Sequence, residues 1–121
     1  MRVPETYEAA PSKSYVVHRS RDLALAFDGE WVVSEAFTVG ERTTRVDVYV
    51  TTTRKYVVIC TRSEPEREPL ITGDAFEDFG AVVDWLGRDN RNRGLGHAGT
   101  AAVTAAVEKL PWLAGANQQR V

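Results

Sequence analysis

The chain has 121 residues, a formal net charge of −2, and ordinary globular proportions of 43% hydrophobic and 26% charged residues. This length fits one domain with its own core, and the charge balance supplies no general attraction to nucleic acid or to a membrane surface. The single cysteine, Cys60, excludes an intramolecular disulfide and a cysteine-based zinc site, and no apolar run reaches the roughly 20 residues that span a bilayer.

The first residues differ in composition from the rest of the chain. Residues 1–14 are polar and carry two prolines, which predicts a flexible N-terminal arm or a loosely docked extension. From Tyr15 onward the chain is rich in β-branched and aromatic residues, and we expect a single α+β domain over residues 15–121. The segment from Tyr15 to His18 is a candidate first strand.

The next pattern predicts a hairpin. Leu23, Leu25 and Phe27 alternate with alanines, which is typical of a half-buried strand. Asp28-Gly29 follows at once, and Trp31 opens another apolar run. Because a type I′ turn requires positive φ at both central residues, Asp-Gly between two alternating segments predicts a tight turn.

The strand after this turn carries an internal carboxylate. Strict alternation places Trp31, Val33 and Phe37 on one face, and Glu35 falls in phase with them. A carboxylate turned toward an apolar interior is a candidate general acid or base. A β-bulge that turns Glu35 outward, or a position at the margin of the sheet, is the alternative.

Two more strands come next at a spacing of about ten residues, which predicts an antiparallel meander. The strand from Thr43 to Thr52 turns three valines inward: Val46, Val48 and Val50. The strand from Tyr56 to Arg62 is denser in apolar residues, and we expect Cys60 within it to be a small buried hydrophobic residue.

Helices are predicted after the strands. Residues 63–73 contain two prolines and three glutamates and predict a surface loop. The spacing of Asp74 and Glu77 predicts a capping box, after which apolar residues recur on one helix face up to Gly87. A second, alanine-rich helix is expected from Thr100 to the residue before Pro111.

The order of these elements predicts the fold class. A meander of four to five antiparallel strands followed by two helices is an α+β fold, in which both helices pack on one sheet face. The other face, with Arg45 and Tyr49, is then left to water or to a partner. The acidic stretch from Glu64 to Asp78 is either a solvated surface or a site that docks a basic partner.

The stretch from Arg88 to His97, RDNRNRGLGH, is the part of the sequence that most invites a functional interpretation. Guanidinium groups suit phosphate and carboxylate, and the helix after this stretch adds oriented N–H groups at its start. Its candidate anion- or nucleic-acid-binding residues are Arg88, Arg91, Arg93 and His97. The alternative is a solvated connection between helices, since the glycine spacing matches neither a P-loop nor a dinucleotide-binding fingerprint.

A second basic surface comes from the third strand and the hairpin after it. Single-strand nucleic-acid binding combines aromatic rings on which bases stack with cations that follow the phosphates. The third strand and its hairpin carry five cations with two interleaved tyrosines: Arg42, Arg45, Arg54, Lys55, Arg62, Tyr49 and Tyr56. The candidate binding residues among them are Arg45, Arg54, Lys55 and Tyr49. A strand face that simply stays solvated is the alternative.

No catalytic constellation is present in the sequence. His18 and His97 lack further residues at metal-ligand spacing, and no base is nominated beside Cys60. We therefore expect no metal, no cofactor and no catalytic residue, and a cytoplasmic protein that does not contact a membrane.

The segment from Phe27 to Arg62 resembles the central β-hairpin region of the EXLDI family. The matching residues are Phe27, Gly29, Val48-Tyr49, Thr52, Arg54 and Lys55, which lead into an apolar strand. Members of that family are small proteins of unknown function found largely in actinobacteria and mobile elements. The resemblance implies a mobile-element context and no particular activity.

The sequence leaves three hypotheses for the function. The first is a non-enzymatic binding or assembly module that contacts a protein partner, or itself as a dimer, through the sheet face or edge. The second is single-strand nucleic-acid binding through the loop of Arg88 to Arg93 and the basic strand face. The third is a small-ligand binder or enzyme with Glu35 or His97 in a pocket between sheet and helices.

Overall fold

The computed structural model describes residues 1–7, 12–91 and 93–113. Its strands are β1 (Lys13–Val17), β2 (Leu25–Val39), β3 (Arg42–Thr51), β4 (Tyr56–Ser63) and β5 (Leu70–Phe76). Its helices are α1 (Phe79–Asp89) and α2 (Gly96–Lys109), and a 3₁₀ turn covers Pro111–Leu113. The strands pair antiparallel in chain order, so the predicted α+β fold, a meander followed by two helices, is confirmed. None of the helices in these ranges has the length and apolar character needed to cross a bilayer.

The Asp28-Gly29 pair lies inside a strand, and the predicted hairpin turn is wrong. β2 is a continuous strand of 15 residues, and Gly29 pairs with Lys13 of β1 on one side and Thr51 of β3 on the other. An ideal Cβ on Gly29 would lie 2.8 Å from the Cα of Thr51. Glycine is therefore needed here because two backbones approach closely, rather than because a turn requires positive φ.

A bulge changes the facing of side chains along β2. Trp31 lies opposite Tyr49 and Val33 lies opposite Val48, so β2 carries one extra residue, Val32, at this point. Val33 is buried under the helices, whereas Trp31 lies on the other face of the sheet and is largely exposed. The prediction that Trp31 and Val33 share a face is wrong because alternation does not continue across a bulge.

The segment between β4 and α1 also differs from the prediction. β5 begins at Leu70, within the predicted loop, because pairing with β4 satisfies its backbone despite the nearby prolines and glutamates. Asp74 therefore lies on a strand, and the helix cap is Asp78, whose carboxylate accepts the Gly80 N–H at 2.9 Å. α1 continues to Asp89, two residues beyond the predicted end.

The main core lies between the helices and one face of the sheet. Alanines bring α2 close to the strands: Ala98, Ala102 and Ala106. Valines of the two central strands face them, as predicted for the third strand: Val46, Val48, Val50 and Val58. Cys60 is 1% exposed in the same cluster, so its prediction as a small buried hydrophobic residue is confirmed. The short side chains allow a close helix–sheet contact that fixes the position of α2.

The start of the chain packs against the body, which differs from the predicted flexible arm at residues 1–14. Val3 is buried in the core, and the Met1 ammonium pairs with Asp78. The Tyr56 hydroxyl donates to the Met1 carbonyl at 3.0 Å. Within the predicted arm, residues 8–11 lie outside the described residues, and β1 begins at Lys13. The buried Val3 side chain and the ion pair between the Met1 ammonium and Asp78 hold this segment against the body.

The sheet face away from the helices is largely filled, although the sequence predicted that it is open. Three rings pack together there: Tyr15, Phe27 and Tyr49. Val57 and Ile59 point to the same face and are only 1% and 4% exposed. The sheet curls until Ser20, in the β1–β2 connection, donates its N–H to the Ile71 carbonyl of β5 at 2.8 Å. Sheet curvature, which residue alternation does not encode, closes this face.

Candidate anion-binding site

A cleft of about 760 Å³ opens where β3 begins, β4 ends and α1 leads into α2. Six arginines line it: Arg21, Arg42, Arg62, Arg67, Arg91 and Arg93. Three carboxylates also line it: Glu64, Glu68 and Asp89. Six cations against three anions leave an excess of three positive charges in this arginine cleft. The whole chain has a net charge of −2, so the cleft concentrates charge opposite to that of the protein.

Strand register brings the first arginines together. Arg62 lies opposite Thr44, two residues after Arg42, at the same end of the β3–β4 pair. Arg21 and Arg91 reach the cleft from two loops, and both have a left-handed backbone with φ of 60° and 58°. Such a conformation costs about 1 kcal/mol in a residue other than glycine. Two further residues, Arg54 and Glu66, have the same backbone conformation outside the cleft lining, so this strain is not confined to the cleft.

Asn90 organises the loop that supplies Arg91 and Arg93. Its backbone N–H donates to the Leu86 carbonyl at 3.1 Å, and its side-chain amide donates to the Gly94 carbonyl at 3.0 Å. Arg93 donates its N–H back to the Asn90 carbonyl at 3.2 Å. The loop is therefore a closed turn, which holds the attachment points of both arginines against the end of the sheet.

Arg62 is fixed at the base of the cleft by Asp89. Its Nη1 donates to Asp89 Oδ2 at 2.8 Å and its Nη2 to the Asp89 carbonyl at 3.3 Å. The Thr72 hydroxyl donates to the same Oδ2 at 3.2 Å. Burial is the largest single influence and lowers the pKa of Arg62, but the hydrogen bond to Asp89 and the charges of Cys60 and Asp89 together raise it by more, so the net shift is upward. Arg62 is a permanent, oriented cation.

The other arginines of the cleft differ in their partners. Arg42 pairs with Glu64 at 2.8 Å, and Arg67 lies 3.8 Å from the same carboxylate. Within the ranges that the structure describes, no ion pair involves the remaining three: Arg21, Arg91 and Arg93. The neighbouring Asp22 forms its ion pair with Arg19 and not with Arg21. The cleft thus holds cations that no described carboxylate neutralises.

A smaller cavity of about 290 Å³ adjoins the cleft, between β2, β3 and the start of α2. Four residues line both cavities: Arg42, Thr44, Arg62 and Asn90. The other walls are mainly apolar: Phe37, Val39, Val46, Leu86 and Leu95. The His97 ring stacks on Phe37 with centroids 4.3 Å apart and an interplanar angle of 23°. We refer to this cavity as the apolar pocket.

The structure separates the predicted loop residues. Arg91 and Arg93 line the arginine cleft, and His97 lines the apolar pocket. Arg88 lies elsewhere, beside Asp84 on another surface of α1 and in the last turn of that helix, where a cation interacts favourably with the helix dipole. Two of the three loop arginines therefore line the arginine cleft, His97 lines the adjoining pocket, and Arg88 lines neither.

The basic strand surface faces away from the cleft. Arg45 and Tyr49 project from the sheet face opposite the helices, while Arg54 and Lys55 lie at the far end of the β3–β4 hairpin. Arg54 donates to the Glu5 carbonyl at 2.8 Å. The Tyr49 ring packs among other rings, and burial, with Asp47 and Tyr15 nearby, raises its pKa to about 12. The two predicted basic surfaces do not form one continuous track.

The third hypothesis concerns Glu35 and His97, and these two residues do not line the same cavity. Glu35 lies on the helix face, opposite Val46 and half-buried, yet it lines neither the cleft nor the apolar pocket. His97 lines the pocket without it. Among residues 1–7, 12–91 and 93–113, no three histidine, cysteine, aspartate or glutamate side chains are grouped as metal ligands. A role for Glu35 or His97 in ligand binding or catalysis stays a prediction.

Cys60 lies in the wall of the apolar pocket but is protonated. Burial raises the pKa of its thiol to about 11, with Asp89 adding to the shift and Arg62 opposing it. At pH 8 only about one such thiol in a thousand is a thiolate. We expect Cys60 to react with iodoacetamide at least about 100-fold more slowly in the native protein than in guanidinium chloride. Mass spectrometry of timed samples measures both rates, and rapid native labelling would contradict this expectation.

Comparison with protein-family models, with curated proteins and with solved structures found no match to this chain. The resemblance of the central hairpin to the EXLDI family therefore stays a prediction. Any functional inference depends on the residues of the arginine cleft and the apolar pocket themselves.

Proposed function

We propose that this protein is a binding module that takes a small anion, of the phosphate type, into the arginine cleft. The observation that carries the proposal is the convergence of six arginines, from four separate parts of the chain, on one cleft with three carboxylates. Guanidinium groups bind phosphate through paired N–H donors, and a concave site strengthens such contacts by limiting access of water. Arg91 and Arg93, from the turn closed by Asn90, are the principal ligands.

The geometry favours a small anion over a nucleic-acid strand. A single strand needs a basic groove that follows its backbone over several nucleotides, with rings available for stacking. Arg45, Arg54 and Lys55 lie away from the cleft, and the Tyr49 ring is packed against Tyr15 and Phe27. The positive charge that remains is local, which suits one phosphate group and its immediate surroundings.

The prediction of a protein contact or a homodimer stays a prediction. The filled sheet face offers less contact surface than the sequence suggested. β1 is the last strand at its end of the sheet, and its Val16 is 61% exposed, so this edge is a candidate contact. Pairing through this edge would leave the arginine cleft accessible, because Lys13–Val17 lies outside the cleft lining.

Calorimetric titration with inorganic phosphate at low ionic strength tests the proposal. We expect the double variant Arg91→Gln, Arg93→Gln to weaken phosphate binding by about 100-fold or more, since it removes two charge-assisted hydrogen bonds that contribute roughly 1.5–3 kcal/mol each. The matched control is Arg54→Gln, Arg88→Gln, which removes the same charge outside the cleft. This control should leave the affinity within about twofold of the original, because distant exposed charges are screened.

Two results would overturn the proposal. The first is an absence of phosphate binding to the unmodified protein under these conditions. The second is an equal loss of affinity in both double variants, which would assign the binding to overall charge. Thermal unfolding of each variant, measured without phosphate, checks that the substitutions leave the fold intact.

A further inference from the structure

We infer that the ligand of the arginine cleft is a phosphomonoester of a planar ring, with the ring seated in the apolar pocket. This inference rests on the proposed function and adds the organic part of the ligand. It starts from the contact between the two cavities, which share Arg42, Thr44, Arg62 and Asn90 along their common border. An organic group that is esterified to a phosphate in the cleft can therefore reach directly into the pocket, because the two cavities adjoin.

The side chains at the mouth of the pocket are unusually exposed for apolar residues. Phe37 is 43% and Val39 is 64% exposed, at the end of β2 where this strand pairs with the start of β3. They continue inward to the buried side chains of Val46 and Leu86, which line the floor. A graded apolar wall beside a charged cleft suits a ligand that carries both kinds of group.

The shape of this wall favours a flat group. Phe37 and His97 stack with an interplanar angle of 23°, which presents nearly parallel rings at one side of the pocket. Aromatic groups gain from offset stacking and edge contacts with such rings beyond the area that they bury. The cavity volumes of about 290 and 760 Å³ compare with roughly 300–1,000 Å³ for small-molecule sites, so one ring and one phosphate fit together.

Polar groups at the border orient the ligand. Arg62 is held by Asp89, so its guanidinium direction is fixed, and Arg42 lies across the border from it. Thr44 and Asn90 also line both cavities, and the Asn90 side chain is held in place because its amide donates to the Gly94 carbonyl at 3.0 Å. Residues 96–99, the first turn of α2, adjoin the same pocket and add N–H groups that are accessory to the arginines.

Parallel titrations with inorganic phosphate, butyl phosphate and phenyl phosphate at one ionic strength test the inference. We expect phenyl phosphate to bind about tenfold more tightly than inorganic phosphate, because its apolar ring moves out of water when it enters the pocket. Phe37→Ala should reduce this advantage to about twofold while the affinity for inorganic phosphate stays the same. Leu23→Ala removes a still more exposed apolar side chain that lines neither cavity and should change nothing.

The outcomes separate this inference from the proposed function. Phenyl and inorganic phosphate could bind equally tightly, with both affinities lost in the Arg91→Gln, Arg93→Gln variant. This result would overturn the inference of a planar ring and would still support the anion site. Equal affinities for butyl and phenyl phosphate would also overturn the planar ring. If phenyl phosphate binds more tightly and Phe37→Ala does not reduce this difference, the ring does not bind in the apolar pocket. Failure of every phosphate to bind would overturn the proposed function itself.

A further titration distinguishes two sources of the planar group. Adenosine monophosphate carries a heteroaromatic base at some distance from its phosphate, whereas phenyl phosphate carries the ring directly on the ester oxygen. Tighter binding of the nucleotide, reduced by Phe37→Ala, assigns the ligand to the nucleotides. Tighter binding of phenyl phosphate assigns it to simple aryl esters, and a planar phosphomonoester is supported in both cases.

Discussion

Replacement of Gly29 by asparagine is expected to destabilise the protein by about 3 kcal/mol, the upper part of the usual range for overpacking. The side chain would begin 2.8 Å from the Cα of Thr51, and it would also meet the Val50 carbonyl. Both obstacles are backbone atoms of β3, so no rotamer change relieves the contact. β2 and β3 would have to separate, which weakens the longest strand pairing in the sheet.

Asparagine is the informative replacement because it tests the turn that the sequence predicted. Asparagine tolerates a left-handed backbone, so a turn at Asp28-Gly29 would accept it at a cost of about 1 kcal/mol or less. Gly40 provides the matched control, with a φ of 61° and no atom within 4 Å of an ideal Cβ position. Urea unfolding followed by circular dichroism measures both variants. Similar losses at the two positions would contradict the close approach of β3.

Replacement of Asp89 by alanine is expected to cost about 2 kcal/mol, because a partly buried guanidinium loses its partner. Asp89 accepts from both Arg62 and Thr72, and its side chain is only 13% exposed. Arg62 is 29% exposed, so water recovers part of the lost interaction. The control is Asp84→Ala, an exposed position on the same helix, which should change stability by less than about 0.5 kcal/mol.

The same variant links stability to the proposed anion site. Without Asp89, one negative charge leaves the cleft and Arg62 needs another acceptor. Phosphate should therefore raise the melting temperature of Asp89→Ala more than that of the unmodified protein, by mass action on the native state. A double variant that also carries Arg62→Met should recover part of the lost stability and respond to phosphate less than Asp89→Ala does, since Arg62 is gone while Arg91 and Arg93 remain. Equal responses to phosphate in all three proteins would contradict a role for Arg62 in binding.

Several features could be predicted from the sequence because they depend on local periodicity. Alternating valines gave β3 and its inner face, apolar residues at helical spacing gave α1, and the apolar setting of Cys60 gave its burial. The boundaries were less accurate where tertiary contacts compete with local signals. β5 forms in a segment rich in proline and glutamate because the edge of β4 is available to pair with it.

The candidate site could be predicted only in part. Arg91, Arg93 and His97 stood out because they share one short loop. Arg21 and Arg67 were missed as site residues, and Arg42 and Arg62 were assigned to the basic strand surface and not to the loop. These four arginines are spread over almost fifty positions, and the register of β3 and β4 is needed to bring Arg42 and Arg62 together. The one available signal was that a basic residue at the start of one hairpin strand lies near a basic residue at the end of the next.

The sequence by itself determined the α+β class, the order of strands before helices and the loop that carries Arg91 and Arg93, because each depends on neighbouring residues. The tertiary structure alone decided the role of Gly29, the facing of Trp31 and the meeting of six arginines in one cleft. These features depend on which strand lies beside which, on one bulge and on the curl of the sheet. Non-local pairing fixes all three, and residue alternation along a single strand carries no record of it.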